Sequence, residues 1–287
     1  MASRRTHRQH RGTSACRPER RRSKNRDRAA GLETVVATAS RPIVFWVGAG
    51  SSKWLGFPSW KELTLALRKD FARSVASFGN QRALERINKS DFPAVFQMCR
   101  DLDEGRYFSF IANAFLPRNT TDIYQRFLNL LAGIASSFVI STNVDEALEA
   151  NRPTSITVQR SDFTRCIDLV QNKRPFVAKI HGSISSVKST VFTTTDYNQL
   201  LADQPYLQTL KYIFATCTVV FLSYGVRDSH VLRLLSENAA ENNLFGPGPH
   251  FVVTNEPIPV ESLHRIGYDI KLNPDHKAAL SVLEHIR

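Results

Sequence analysis

A run of large apolar residues that breaks into a loop of glycines and small hydroxyls most constrains how this chain can fold. Residues 43–47 read Ile-Val-Phe-Trp-Val, and Gly48-Ala49-Gly50-Ser51-Ser52 follow directly. The apolar run predicts a strand that is buried on both faces. Glycines after such a strand let backbone N–H groups approach an anionic pyrophosphate at the start of a helix, although a tight turn without a ligand gives the same pattern. The rest of the chain has to decide between these two interpretations.

The positive charge of the chain is concentrated at its beginning. Residues 1–28 carry 11 Lys and Arg against 2 acidic residues, whereas the whole chain of 287 residues has a net charge of +12. We expect residues 1–30 to form a basic, disordered tail ahead of one domain over residues 31–287. Two alternatives for this tail are non-specific contact with nucleic acid through phosphates and a transit peptide.

Cysteine usage and hydropathy restrict the class of protein. The four cysteines lie far apart and form no Cys-x-x-Cys pair, which argues against a structural zinc site and against a disulfide framework. No apolar run is long enough to span a bilayer, and no signal-peptide core is present. We therefore expect a reducing, cytoplasmic compartment and no contact with a membrane.

A long helical region is predicted between the first two strands. Ser59 and Glu62 have the spacing of a capping box, and an i, i+4 ladder of apolar residues starts at Leu63. The pattern stays helical over about residues 61–135, so we expect a helical insertion after the first strand that covers a ligand site. The aromatic residues of this insertion are expected to form its own small core: Phe92, Phe96, Tyr107, Phe108, Phe110 and Phe115.

Further strands follow, and helical patterns separate most of them. Strands are expected at residues 138–141, 176–180, 190–193, 218–222, 250–253 and 268–272, with a last helix over 275–286. This order predicts an α/β fold with a Rossmann-like, mainly parallel sheet and helices on both faces.

Five of the predicted strands end in small or polar residues. These endings are Gly48-Ala49-Gly50, Asn143-Val144-Asp145, His181-Gly182, Ser223-Tyr224-Gly225 and Thr254-Asn255. The carboxyl ends of parallel strands lie at one edge of a sheet, where ligands bind in folds of this class. Five such endings together favour a shared ligand site over five separate turns.

In their order, these segments resemble the motifs of the sirtuin (SIR2) superfamily. They are most similar to the SIR2-like NADase domains of prokaryotic antiphage defence systems. Residues 48–52 match the Gly-Ala-Gly-x-Ser segment of sirtuins, and Gly56-Phe57-Pro58-Ser59-Trp60-Lys61 match Gly-Ile-Pro-x-Phe-Arg. Thr142-Asn143-Val144-Asp145 match Gln-Asn-x-Asp, and His181-Gly182 match the catalytic His-Gly. The Thr at 142, the later Thr194-Thr195-Asp196-Tyr197, and Gly225 with Asp228 are similar to the SIR2-like branch.

The resemblance extends over about residues 40–286, with three departures. No cysteines stand where the zinc module of protein deacylases would follow His181-Gly182. Lys61 replaces the Arg of the sirtuin loop, and Ser223-Tyr224-Gly225 is a loose match to Gly-Thr-Ser. Because the zinc module helps to form the acyl-lysine cleft, the resemblance makes deacylation the less favoured activity.

The resemblance implies that NAD+ is the substrate, that no metal is required, and that His181 and Asn143 are catalytic. His181 would act as general base, Asn143 would orient the ribose or the attacking water, and Asp145 would bond the carboxamide. Ser52 would lie near the pyrophosphate and nicotinamide-side ribose, whereas Ser223, Gly225 and Asn255 would lie toward the adenosine half. A structural histidine at 181 and a helix cap at 228 are the alternatives for those positions. The residues implied to bind NAD+ are Gly48, Ala49, Gly50, Ser52, Gly56, Pro58, Trp60, Thr142, Asp145, Gly182, Ser223, Tyr224, Gly225, Asp228 and Asn255.

The activity that the resemblance implies is NAD+ glycohydrolysis by a regulated NAD-depleting effector of antiviral defence. A non-catalytic scaffold that binds NAD or ADP-ribose is the alternative, and a protein deacylase or ADP-ribosyltransferase is less favoured. A hydride-transferring dehydrogenase would need Gly-x-Gly-x-x-Gly and an acidic residue after the second strand, and neither is evident. Because the chain ends where the SIR2-like fold should end, we expect control by homo-oligomer assembly or by a separate regulatory or sensor protein.

Overall fold

The structure is a computed structural model, and it describes residues 32, 41–134, 138–225, 231, 234–235, 250–255, 263–267 and 277–285. The basic tail predicted for residues 1–30, the strand predicted at 268–272 and the predicted site residue Asp228 lie outside the described residues.

The described residues form one sheet of seven parallel strands. The strands are β1 (Ile43–Val47), β2 (Phe138–Ser141), β3 (Ile156–Gln159), β4 (Phe176–Lys179), β5 (Thr218–Leu222), β6 (His250–Thr254) and β7 (Leu263–Gly267). Their order across the sheet is β3-β4-β2-β1-β5-β6-β7. β1 pairs with β2 on one side and with β5 on the other, so the direction of winding reverses beside β1. In open sheets of this type, the crevice beyond the strand ends at such a reversal is where ligands bind.

Helices connect the strands and cover the sheet. They are α1 (Ala49–Ser52), α2 (Trp60–Ser74), α3 (Asn80–Asn88), α4 (Phe92–Leu102), α5 (Glu104–Ala114), α6 (Asp122–Gly133), α7 (Ala147–Ala150), α8 (Arg165–Gln171), α9 (Thr194–Ala202), α10 (Gln204–Thr216) and α11 (Ala278–His285). Helices α2 to α6 lie between β1 and β2, so the helical insertion predicted after the first strand is present.

Each face of the sheet buries its own hydrophobic core. In β1, Phe45 and Val47 belong to the core that packs against α2 to α6 and α11, whereas Val44 and Trp46 belong to the core against α8 to α10. Successive side chains of a strand point to opposite faces, so a strand covered on both faces has to be apolar throughout. The predicted fold class, a mainly parallel Rossmann-like sheet with helices on both faces, is confirmed.

The capping box predicted before α2 is confirmed. The backbone N–H of Glu62 donates to Ser59 Oγ at 3.3 Å, and the backbone N–H of Ser59 donates to Glu62 Oε2 at 2.7 Å. These hydrogen bonds hold the pKa of Glu62 below its ordinary value. Two N–H groups that the first turn would leave without partners are thereby satisfied, which fixes where α2 begins after the glycine loop.

The strand predicted at residues 190–193 is wrong. The backbone N–H of Val191 donates to the carbonyl of His181 at 3.0 Å, but the segment joins no strand of the sheet among the described residues. The N–H groups of Phe192 and Thr193 donate instead to Asp196 Oδ2, at 3.1 and 2.9 Å. A carboxylate that takes up backbone donors in this way offers an alternative to a strand ladder, and here it starts α9.

Two strands at the edges of the sheet were missing from the sequence-based prediction. In β3 only Val158 is fully buried, and in β7 only Leu263 and Ile266 are. An edge strand contacts one neighbour and exposes part of its surface, so it lacks the continuous apolar run that marks a central strand.

None of the helices in the described residues is long and apolar enough to cross a membrane. Cys99, Cys166 and Cys217 are buried as free thiols, and burial raises the pKa of Cys99 and Cys166 to about 12. Within the described ranges, no group of three or more His, Cys, Asp or Glu residues is arranged to hold a metal ion.

Candidate functional site

The loops after β1, β2, β4 and β5 meet at one edge of the sheet, as the sequence predicted. The first residue of three of these loops donates a backbone hydrogen bond to the last residue of the neighbouring strand. The N–H of Thr142 donates to the carbonyl of Val47 at 3.1 Å, and that of Ile180 donates to the carbonyl of Ser141 at 3.1 Å. The N–H of Gly48 donates to the carbonyl of Leu222 at 3.0 Å. The strand ladder therefore extends into the loops and fixes their relative positions.

The two glycines of the β1 loop allow that loop to lie directly against the β5 loop. A Cβ on Gly48 would be 2.7 Å from the Ser223 carbonyl oxygen, and one on Gly50 would be 2.9 Å from the same atom. The N–H of Gly50 donates to the Ser223 carbonyl at 3.0 Å, so in this structure Gly50 binds the β5 loop and Gly48 binds the last residue of β5. Close approach of two loops is thus one physical reason for glycine at both positions.

Ser51 fixes the orientation of the Asn143 amide. Ser51 Oγ donates to the Gly48 carbonyl at 2.9 Å and accepts from Asn143 Nδ2 at 3.0 Å. Because the single hydroxyl proton of Ser51 is used on Gly48, Asn143 has to present its NH₂ group to Ser51. The other amide atom, Oδ1 of Asn143, is buried and has no hydrogen-bond donor among the described residues.

Ser52 and Asp145 form a second buried contact between the β1 and β2 loops. Ser52 Oγ donates to Asp145 Oδ2 at 2.6 Å, and the N–H of Ala147 donates to Asp145 Oδ1 at 3.2 Å. Both residues are buried, with 3% of the surface of each exposed. These two donors hold the buried carboxylate in one orientation.

His181 follows β4 by two residues and is 2% exposed. Its ring meets the ring of Tyr197 edge to face, with centroids 5.7 Å apart. Gly182 has φ = +78°, and a Cβ there would be 2.2 Å from the carbonyl oxygen of Ser189. Only glycine fits this turn, which explains in physical terms why the histidine is followed by glycine.

A narrow cavity of about 30 Å³ lies among these strand ends. Its floor is formed by polar side chains predicted from the sequence, and its roof by aromatic rings. Of the predicted site residues, it is lined by Ala49, Ser52, Pro58, Trp60, Thr142, Asn143, Asp145 and His181. A cavity of this size holds a water or two, so a larger ligand requires the roof to move.

The aromatic roof was not predicted. Phe115 and Phe192 line the cavity beside Trp60, and the ring of Phe192 lies 5.4 Å from that of Trp60 and 6.1 Å from that of Phe115. Phe115 was expected to belong to the insertion's own core, and Phe192 to a strand. Both ring contacts join residues far apart in sequence, so no local pattern could have revealed them.

The remaining predicted residues lie beside the cavity or apart from it. Ser223, with φ = +54°, and Tyr224 lie against the β1 loop, and Ser223 Oγ is buried without a partner among the described residues. Gly225 is exposed, and Asn255 is half-buried at the end of β6. Gly56, with φ = +82°, borders a separate groove of about 880 Å³ between α2 and α5 that shares Pro58 with the narrow cavity. That groove is the larger of the two, but neither Asn143 nor His181 lines it.

Glu146, which the sequence did not single out, joins the β2 and β4 loops. Its Oε1 accepts from Ser183 Oγ at 2.6 Å and from the N–H of Ser185 at 3.3 Å. Partial burial raises the pKa of Glu146, but these hydrogen bonds outweigh it and lower the pKa below its ordinary value. The carboxylate is therefore charged at neutral pH and holds the turn after His181 in place.

A family model described as a SIR2-like domain matches residues 137–273, which include Asn143, Asp145, His181 and Ser223. The glycine loop lies outside this match.

Two curated proteins are similar to the chain. NAD(+) hydrolase ThsA from Enterococcus faecium is 28% identical over 198 residues, which cover 67% of this chain and 39% of that protein. Defense-associated sirtuin 2 from Bacillus subtilis is 23% identical over 251 residues, which cover 83% of this chain and 23% of that protein. The chain thus spans less than half the length of either relative.

A solved structure from work on the mechanism and regulation of Sir2 enzymes aligns with a TM-score of 0.44 and 12% identity, covering 92% of this chain and 97% of that one. The fold class rests on the strand order of the described residues. The resemblance predicted from the ordered motifs is confirmed by the family model and by the two relatives. Over residues 137–273 the chain is therefore similar to SIR2-like domains.

Proposed function

We propose that this protein is an NAD+ glycohydrolase, which converts NAD+ and water into nicotinamide, ADP-ribose and a proton. The observation that carries the proposal is the buried Oδ1 of Asn143, a fixed acceptor to which no described residue donates, in the cavity that His181 and Asp145 also line. A buried acceptor left open in this way fits a hydroxyl of a bound ribose or the attacking water.

The chemistry requires little more than positioning and charge. The bond between C1′ of the ribose and the nicotinamide nitrogen breaks, and its electron pair leaves with nicotinamide, which departs neutral and needs no acid. This differs from glycoside hydrolysis, where a carboxylic acid protonates the leaving oxygen. The enzyme has to stabilise the positive, oxocarbenium-like carbon and deliver water to it.

The residues of the cavity can be given these roles. His181 accepts a proton from the attacking water or from a ribose hydroxyl, which a neutral imidazole can do through its unprotonated ring nitrogen. Asn143 Oδ1 accepts a hydrogen bond from that water or hydroxyl, in an orientation that Ser51 fixes. Asp145 accepts a hydrogen bond from the carboxamide of nicotinamide, and Ser52 supports the carboxylate.

Binding of the nicotinamide end requires a change in the aromatic roof. The cavity volume of about 30 Å³ is far below that of a pyridine ring with its carboxamide. Trp60, Phe115 and Phe192 would have to separate to admit it, and the helical insertion, which carries the first two, would act as the lid.

The names of the relatives support the same activity. One is an NAD(+) hydrolase and the other a defense-associated sirtuin. We extend both to this chain as proposals: NAD+ as its substrate, and depletion of NAD+ in antiviral defence as its role. An NAD-depleting enzyme has to be silent until it is needed, so we further propose control by self-assembly or by a separate protein.

The test measures nicotinamide release from NAD+ by the purified protein over a series of protein concentrations. Asn143→Ala and His181→Ala should each reduce release by about 10²-fold or more, the usual loss for a positioned acceptor or a general base. Asn129→Ala is the matched control, because Asn129 is an exposed asparagine on α6 and should leave release unchanged.

Three results would separate the possibilities. Release that both site variants lose would support the glycohydrolase, and a specific activity that rises steeply with protein concentration would support control by assembly. Binding of NAD+ without release would favour the non-catalytic scaffold and contradict the proposed reaction. Absence of both binding and release would contradict every function that involves NAD+.

A further inference from the structure

Lys179 is a fully buried lysine that the proposed reaction does not use. It is the last residue of β4, two residues before His181, and its side chain is 0% exposed. Its Nζ forms an ion pair with Glu149 Oε1 of α7 at 2.8 Å and donates a hydrogen bond to the backbone carbonyl of Asp145. Lys179 thus joins β4 and α7 to the loop that carries Asn143 and Asp145.

The buried ion pair adds little to the free energy of unfolding, because both charges lose their contact with solvent. Burial raises the pKa of Glu149 more than Lys179 lowers it, and Glu149 Oε2 is buried without a donor among the described residues. Replacing such a buried pair by apolar side chains of similar volume is often neutral or stabilising. The contact that an apolar residue could not replace is the hydrogen bond from Nζ to the Asp145 carbonyl.

That carbonyl belongs to the residue whose carboxylate lines the cavity. This hydrogen bond fixes the peptide group between Asp145 and Glu146. A fixed peptide group restricts where the Asp145 side chain can point. The carboxylate of Asp145 accepts hydrogen bonds from Ser52 Oγ at 2.6 Å and from the N–H of Ala147 at 3.2 Å. Lys179 therefore supplies the one side-chain contact to the Asp145 backbone seen in the described residues.

We propose that Lys179 is a positioning residue, which orients Asp145 toward the nicotinamide end of NAD+ by holding its backbone carbonyl. The proposal rests on the proposed NAD+ glycohydrolase function and assigns Lys179 no contact with the substrate. Glu149 serves to balance the charge of Lys179, whose side chain is fully buried.

The test replaces Lys179 and Glu149 together, so that neither charge is left buried without its partner. Lys179→Met/Glu149→Leu should fold with a melting temperature within a few degrees of the wild type, because the pair adds little net stability. Nicotinamide release should fall by about 10- to 100-fold, as expected for a misplaced binding group. Affinity for ADP-ribose, which lacks nicotinamide, should stay within about threefold, whereas affinity for NAD+ should fall more.

Two further variants separate positioning from a general structural role. Glu149→Gln keeps the Lys179 contact to Asp145 and should keep most of the activity. Adding Asp145→Asn to the double variant should reduce nicotinamide release no further than Asp145→Asn does alone. The effects of residues that act through one another are not additive. The control pair Arg86→Met/Asp91→Asn removes an ion pair of the same length, 2.8 Å, at the exposed end of α3 and should leave both readouts unchanged.

The outcomes distinguish this inference from the proposed function. If the wild type releases nicotinamide and the double variant does so equally well, the role of Lys179 is overturned and the function stands. Equal losses of NAD+ and ADP-ribose affinity, or a Glu149→Gln variant as impaired as the double variant, would also overturn it. A wild type without release overturns both. If the double variant does not fold, Lys179→Met/Glu149→Gln takes its place with the same expectations.

Discussion

At the scale of single residues, the turn after His181 depends on the absence of one methyl group. Gly182 has a positive φ of +78°, and a Cβ there would overlap the backbone of Ser189. We predict that Gly182→Ala lowers the free energy of unfolding by about 3 kcal/mol or more, from the strained backbone conformation together with the overlap. Urea unfolding of the purified variant would measure the loss.

Gly105 provides a control for this prediction. It lies in the first turn of α5, where an added Cβ would meet nothing closer than Asp103 Oδ1 at 3.7 Å. Gly105→Ala should be neutral or stabilise the protein by about 0.5–1 kcal/mol, because alanine loses less backbone entropy in a helix. Equal effects of the two substitutions would contradict the steric explanation for Gly182.

At the scale of elements, one ion pair connects the helical insertion to the segment that carries the cavity roof. Arg100 of α4 donates to Asp196 Oδ1 at 2.9 Å, and Asp196 Oδ2 accepts the N–H groups of Phe192 and Thr193. The side chain of Asp196 is 12% exposed, so loss of its cationic partner leaves a largely desolvated charge. The pair therefore holds α4 to the segment of Phe192, which lines the cavity.

We predict that Arg100→Met lowers the free energy of unfolding by about 1–3 kcal/mol, the range for a buried carboxylate that loses a charged partner. Hydrogen exchange should also quicken at the amides of Phe192 and Thr193. Arg86→Met removes an exposed pair with Asp91 and should cost about 0–1 kcal/mol. If both variants lose the same small amount and exchange is unaltered, the connection does not hold the roof segment.

At the scale of the whole molecule, His250 makes stability depend on pH. Its ring is 3% exposed at the start of β6, and Nδ1 accepts the N–H of Val219 at 3.1 Å. Burial lowers the pKa of His250 from 6.5 to about 4, with smaller lowering by Arg41 and His264 against a raising hydrogen bond to the Phe214 backbone. A histidine with a lowered pKa in the folded state favours folding above the unfolded pKa, and this contribution is lost as pH falls.

We therefore predict that the free energy of unfolding falls by about 3 kcal/mol between pH 6.5 and pH 4 through this histidine. His250→Asn keeps an acceptor near the position of Nδ1 but cannot titrate, so its unfolding free energy should change less over the same interval. Urea unfolding at several pH values would measure both proteins. Parallel pH profiles would show that other groups cause the acid sensitivity.

The sequence by itself determined where the central strands lie and that polar residues at their ends share one edge of the sheet. Residues 43–47 form β1 with the predicted bounds, since a strand buried on both faces has to be apolar throughout. The capping box of Ser59 and Glu62 starts α2, since both partners lie within one turn. Asn143, Asp145 and His181 could be placed at one edge because parallel strands put their carboxyl ends together.

Only the tertiary structure decided which of those residues share a cavity and what surrounds them. Phe115 and Phe192 meet across the roof although 77 positions separate them in the chain, and Lys179 at the end of β4 reaches the carbonyl of Asp145 in the loop after the neighbouring β2. Residues 190–193 resemble a strand, but the nearby carboxylate of Asp196 takes their N–H groups. Local patterns record contacts within a turn or along a strand, whereas these contacts arise when distant segments pack, and packing depends on the whole sheet.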